Sequence, residues 1–173
     1  MSSTIDTLLK NCGLPLRNGN PVDETGRKRF FLPAGQLYAT AEPTDIVTVI
    51  GSCVAVCLYD KAKGVGGANH FMLPGSSLTP SPRYAVNAFD LLLAQLLSLG
   101  ARRSRLEAKL FGGASMLKIG TDAMRDLGSR NIEAARRKLE EERLPVVSED
   151  VGGSSGRKLV FSTGDGAALL RQV

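Results

Sequence analysis

A chain of 173 residues is one domain's worth, since domains cluster at roughly 100–200 residues and one this size buries about 70% of its unfolded surface. Hydrophobic residues make up 43% and charged residues 23%, and no run approaches the roughly 18 apolar residues of a membrane helix, so no membrane insertion is expected. The net charge of +5 suits an anionic partner, but the basic residues are scattered and aromatics are only 5%, so nucleic acid is not the expected one.

Residues 1–28 are polar and turn-rich, with Asn18-Gly19-Asn20-Pro21 among them, and read as a flexible extension before a domain at 29–173. No basic stretch leads into an apolar block and a cleavage site, so a cytoplasmic location is expected. Cys12, Cys53 and Cys57 are too few and too irregular for a disulfide framework, which fits a reducing compartment. Short β-like runs follow at 36–40, 46–50, 54–59 and 65–73, rich in Val, Ile and aromatic residues and separated by Pro, Asp and Gly. Ser81-Pro82 opens a helix in which Tyr84, Ala88, Leu91, Leu92, Gln95, Leu96 and Leu99 recur near helical spacing, with Gly100 placed as its C-terminal cap.

Residues 106–111 read as a strand running into Gly112-Gly113, and 131–143 as a second helix capped by Ser129 or Asn131 and ended before Pro145. Glu, Arg and Lys at 133–143 are spaced for an i,i+4 ion-pair face. Three more strands are expected at 145–151, 158–163 and 167–173. Few helices among many strands with hairpin-length links predict an α+β layered sandwich, not a doubly wound parallel sheet.

The chain has one histidine, so any histidine chemistry falls to His70. If Asp60-Lys61-Ala62-Lys63 is a four-residue hairpin loop, Tyr59 pairs with Gly64 and Cys53 with His70, placing a thiol beside an imidazole on one face. A neighbouring imidazole withdraws the thiol proton and makes a nucleophile. Gly51 and Ser52 before Cys53 allow a sharp bend whose amides face a reacting carbonyl oxygen. Gly66 and Gly67 on the opposite strand would let a substrate chain approach, and Gly112-Gly113 would border the cleft. Thr48 is placed to orient the imidazole, whereas Asn69 points to the other face.

From composition alone, a buried structural role is the commoner fate of a cysteine and of a lone histidine, and the hairpin pairing brings the catalytic reading level with it. A zinc site of Cys53, Cys57 and His70 is opposed by strand geometry, because residues four apart on a strand lie about 13 Å apart, and the same spacing rules out a Cys53 to Cys57 disulfide. Cys57 is then core and Cys12 incidental. The glycine runs at 111–115 and 150–156 lack the ending of a phosphate loop and read as turns.

Gly51-Ser52-Cys53-Val54-Ala55-Val56-Cys57-Leu58-Tyr59-Asp60, Gly67-Ala68-Asn69-His70-Phe71-Met72-Leu73-Pro74, Arg83-Tyr84, Leu106-Glu107-Ala108-Lys109, Phe111-Gly112-Gly113-Ala114, Arg130-Asn131 and Asp150-Val151-Gly152-Gly153 together resemble the CheD family of chemoreceptor glutamine deamidases. The resemblance runs from about Gln36 to the C-terminus. It implies a three-layer α/β/β sandwich in a single domain, and a cysteine hydrolase that converts receptor glutamines to glutamates with release of ammonia. It also implies Cys53 as nucleophile, His70 as general base and Thr48 as the third residue, with no cofactor and no metal. Chemoreceptor cytoplasmic helices are the implied substrate and a CheC-type phosphatase the implied partner; separately, a monomer is expected. A binding module using the same cleft, or a cysteine amidase or transglutaminase-like enzyme, would share these features, and a substrate panel separates them.

Overall fold

The computed structural model describes residues 27–116 and 120–173, so most of the 1–28 extension, with Cys12, lies outside the described residues. The described chain runs β1 (Lys28–Phe31), β2 (Gln36–Thr40), β3 (Thr44–Ile50), β4 (Val54–Asp60), β5 (Val65–Phe71), α1 (Ala85–Ser98), β6 (Glu107–Gly112), α2 (Asp122–Arg125), α3 (Leu127–Glu141), β7 (Val146–Val151), β8 (Arg157–Ser162) and β9 (Ala168–Gln172). The strands form a four-stranded sheet in the order β1-β3-β8-β9 and a five-stranded sheet in the order β2-β5-β4-β6-β7. Pairing is antiparallel except for β1 with β3 and β6 with β7.

Alternation along β4 and β5 gives the five-stranded sheet two apolar faces. Val54, Val56, Leu58, Val65 and Phe71 pack against Ala88, Phe89, Leu92 and Leu96 of α1 and Ile132, Ala135 and Leu139 of α3. Ala55, Cys57, Tyr59 and Ala68 face the other way, onto Ile46, Ile50, Leu159 and Phe161 of the four-stranded sheet. Helices, a central sheet and a second sheet therefore stack as the expected α/β/β sandwich. None of the described helices is long and apolar enough to cross a membrane.

The expected helix around 84–99 is present and ends as its sequence indicates. Gly100 has φ +95°, its N–H donates to the Leu97 carbonyl, and the Ala101 N–H donates to the Leu96 carbonyl, closing the last turn around a left-handed residue. The ion-pair face of α3 is present as well, with Arg137 on Glu133 at 3.1 Å and Lys138 on Glu142 at 2.8 Å.

Three expectations need correction. First, no strand was expected before Gln36, because four residues beginning Lys28-Arg29 carry little strand signal; β1 forms there by pairing alongside β3, with Phe31 opposite Val47. Second, α3 begins at Leu127, so Ser129 and Asn131 lie inside the helix and neither caps it. Gly128, in the first turn of the helix, is a packing residue: a Cβ there would lie 2.4 Å from the Gly113 carbonyl oxygen. Third, the β4–β5 loop is one residue later than expected. Gly64 adopts φ +71° and its N–H donates to the Asp60 carbonyl, so the turn closes on Asp60 and pairs it with Val65. Burial pushes the Asp60 carboxyl pKa up, but amides of Arg102 and Lys63 and the Arg105 guanidinium outweigh this and hold it below the ordinary range.

Candidate active site

The register correction moves His70 opposite Ala55, not Cys53. Continued past Val54 and its partner Phe71, the same register sets Cys53 across from Met72, with His70 one diagonal step away. A slip of two residues preserves the face, whereas a slip of one would have reversed it. Cys53 accordingly packs with the inter-sheet cluster and remains part-exposed, while Cys57, on the same face, is fully buried. Burial pushes the Cys57 thiol far above its usual range, as expected of a core cysteine.

His70 lies on β5 between β2 and β4, opposite Gln36 on one side and Ala55 on the other, and its ring is buried between the sheets. Thr48 reaches it from β3 in the second sheet, with Oγ1 2.8 Å from His70 Nδ1. The same hydroxyl donates to the Leu32 carbonyl at 2.8 Å. A hydroxyl has one proton and a carbonyl can only accept, so Nδ1–H is the donor to Thr48 and the lone pair sits on Nε2. Leu32 is brought there by β1, its N–H donating to the Val47 carbonyl at 2.9 Å. The strand that sequence reading missed therefore supplies a fixed acceptor beside the imidazole, and no side-chain signal marks a carbonyl.

Burial lowers the His70 pKa to about 4, opposed in part by the hydrogen bond to Leu32. Burial also raises the Cys53 thiol, opposed in part by its own backbone amide. The resting pair is thus a neutral thiol and a neutral imidazole, not the preformed thiolate expected from the residues alone, and any proton transfer must accompany attack on a substrate.

Residues 51–53 form the corner where the chain crosses from β3 in one sheet to β4 in the other. Each carbonyl of this corner is held: Gly51 O by Ala114 N at 2.9 Å, Ser52 O by Asn131 Nδ2 at 3.0 Å, and Cys53 O by Gly113 N at 2.7 Å. In a trans peptide the following N–H points opposite to the carbonyl, so the Ser52 and Cys53 amides are turned away from these anchors. Gly112 and Gly113, at φ +107° and +69°, approach so closely that a Cβ on Gly112 would lie 2.4 Å from the Cys53 carbonyl oxygen. They border the corner as their place at the end of β6 suggested.

The other glycines behave differently. Gly51 is not in the left-handed region; the space where its side chain would be is filled by Met116, whose Sδ would lie 2.4 Å from a Cβ. Gly67 is buried, and a Cβ there would lie 2.6 Å from the Tyr38 carbonyl oxygen, so its missing side chain accommodates β2 and not a substrate chain. Asn69, also buried, accepts from the Val56 amide through Oδ1 and is separate from the His70 ring. Sequence reading missed Asn131 as a site residue because it was assigned to a helix cap.

Replacing Thr48 by Val keeps the shape and removes the hydroxyl. Because the Leu32 carbonyl stays beside the ring, the expected loss is about 10-fold in kcat with KM unchanged, read by steady-state kinetics.

An α/β/β sandwich with a part-exposed thiol at the crossover between its sheets, one diagonal step from an imidazole of assigned tautomer, defines a candidate cysteine acyl-transfer enzyme. A family model described as CheD chemotactic sensory transduction matches residues 72–172. A protein of Anaeromyxobacter dehalogenans named probable chemoreceptor glutamine deamidase CheD 1 is 50% identical over 149 residues, 86% of each chain. Proteins named probable chemoreceptor glutamine deamidase CheD from Trichlorobacter lovleyi and Thiobacillus denitrificans are 45% and 44% identical, covering 89% and 80% of this chain and 93% and 71% of theirs. Neisseria meningitidis protein NMB0706 has a TM-score of 0.41 at 12% identity, over 87% of this chain and 67% of that one. The chain belongs to the CheD family. The family model's span begins at Met72, after Cys53 and His70, so the roles of those two residues rest on geometry and chemistry.

Proposed function

We propose that this chain deamidates glutamines of methyl-accepting chemoreceptors to glutamates in chemotactic adaptation, the activity its relatives are named for, with Cys53 as nucleophile, His70 as general base and Thr48 as the residue that orients it. The observation that carries the reading is the Thr48–His70–Leu32 network, which leaves Nε2 unprotonated on the face that also bears Cys53.

Nε2 takes the thiol proton as Sγ bonds to the glutamine amide carbon, and the carbonyl π electrons move to oxygen. The Ser52 and Cys53 amides are the donors for that oxyanion. Collapse breaks the C–N bond, and the imidazolium gives its proton to the departing nitrogen, releasing ammonia. Water then attacks the thioester, Nε2 takes its proton, and collapse returns the electron pair to sulfur and the proton to the thiol. The product is a glutamate side chain. The chemistry draws on a thiol, an imidazole and water.

The substrate glutamines lie on receptor cytoplasmic helices, so the enzyme works in the cytoplasm; it acts as a monomer, and a CheC-type phosphatase is the regulatory partner that would occupy the same corner. A new carboxylate changes receptor charge without cutting the chain, and so biases a signalling equilibrium. The test is a panel of a receptor cytoplasmic fragment, free glutamine and an acyl acceptor amine, followed by mass spectrometry and ammonia release. Conversion at defined receptor glutamines, without transfer to the amine, is expected; transfer to the amine, or no conversion in any receptor fragment, contradicts the reading.

A further inference from the structure

Asn131 is fully buried on α3, and its Nδ2 donates to two carbonyls, Ser52 O and Met72 O, each at 3.0 Å. One carbonyl belongs to the residue before Cys53, and the other lies two residues beyond His70, just past the end of β5. A single amide group thus ties the thiol's corner to the histidine's strand. Its orientation is determined, because the flipped amide would set Oδ1 against two carbonyl oxygens. Oδ1 has no partner among the described residues, and leaving a buried acceptor unpaired costs about 1–3 kcal/mol.

We infer that Asn131 is a positioning residue for oxyanion binding: by holding the Ser52 carbonyl it turns the Cys53 N–H toward the side where a substrate oxyanion forms. This rests on Cys53 being the nucleophile. The trans Ser52–Cys53 peptide makes the two ends of that unit move together, so the carbonyl cannot rotate away from Asn131 without carrying the N–H with it. The neighbouring Gly51 and Cys53 carbonyls are held by backbone amides of Ala114 and Gly113, which no substitution other than proline removes. The Ser52 carbonyl is held by a side chain and is therefore the anchor that mutation can release.

The test separates oxyanion binding from thiol reactivity. Alkylation of Cys53 by iodoacetamide is a direct displacement with no carbonyl oxyanion, whereas deamidation passes through one. Asn131→Ala and the isosteric Asn131→Asp, which presents acceptors to two carbonyls, are expected to lower kcat about 10- to 100-fold. KM and the Cys53 alkylation rate should stay within about 2-fold of wild type, since neither depends on the oxyanion. Asn131→Ser, a smaller donor that can hold one carbonyl, should be intermediate and covers the case in which the other variants fold poorly. Unchanged kcat, or alkylation falling in step with kcat and melting temperature, overturns the inference and leaves Asn131 a structural residue. Cys53→Ala, run in parallel, distinguishes the failures: if it still deamidates, the nucleophile assignment is wrong, whereas if it is inactive while the Asn131 variants keep full kcat, the inference alone falls.

Discussion

Cys53→Ala is expected to reduce receptor deamidation by about 10⁴-fold or more, to the background hydrolysis of the glutamine amide. Without sulfur there is no thioester, and the remaining amides and imidazole can only polarise the substrate and activate water. The half-buried position of Cys53 makes the substitution mild for folding, so melting temperature should move little and the loss should appear in kcat. Cys57→Ala is the matched control. It removes a fully buried thiol from the inter-sheet core, so it should lower stability through lost packing while leaving kcat near wild type. Full activity in Cys53→Ala, or abolition by Cys57→Ala in folded protein, would reverse the assignment.

His70→Gln removes the proposed base and keeps a polar side chain in the space between the sheets. The expected loss is about 10²- to 10⁴-fold in kcat, the usual contribution of a positioned general base. Two pH signatures accompany it. Because burial places the His70 pKa at about 4, the neutral, proton-accepting imidazole persists across the physiological range, and kcat/KM should decline on the acid side only as pH approaches about 4. Stability follows the same group with a different window. The unfolded imidazole titrates near 6.5 and the folded one near 4, so as pH falls the unfolded state binds its proton first. Stability from this group is fully present above about pH 6.5 and is lost between there and about pH 4, in all about 3 kcal/mol. Denaturant titrations at several pH values should show that slope in the wild type and a flatter one in His70→Gln. An acid limb near 6.5, or equal pH slopes in both proteins, would show that the imidazole is not buried and neutral.

Much of this site is legible in the sequence, and the reasons lie in particular residues. The face shared by Cys53 and His70 follows from strand parity, which survives a two-residue error, so Cys53 and His70 could be grouped from a hairpin whose register was wrong. The register itself turned on Gly64, which sits in a left-handed turn and not in the strand, a choice that the hydrophobic pattern of Val65 onward does not make. Thr48 lies on the inward-facing parity of β3 with Ile46 and Ile50, and so could be proposed as an orienting group. Leu32 could not, because its contribution is a carbonyl delivered by a short parallel strand whose partner is chosen by tertiary packing. Asn131 was hidden by a different cause: asparagine near a helix start reads as a cap, and the four residues of helix preceding it contain Gly128, tolerated only because Gly113 packs against it.

The proton states were the least legible feature. A thiol near an imidazole suggests an ion pair, but the same burial that brings the groups into one core lowers the imidazole pKa and raises that of the thiol. If Cys53 is the nucleophile, attack and proton transfer are then coupled, and this site exposes no permanently reactive thiolate, which suits an enzyme acting on selected receptor glutamines.

The most direct test of the nucleophile is to inactivate the protein with a chloroketone analogue of glutamine and map the adduct by peptide mass spectrometry. One adduct per chain on Cys53, formed in step with loss of receptor deamidation and slowed by the receptor fragment, is the predicted result. Full deamidase activity in protein whose Cys53 is completely modified, or inactivation with the adduct on Cys12 or Cys57 instead, would contradict it.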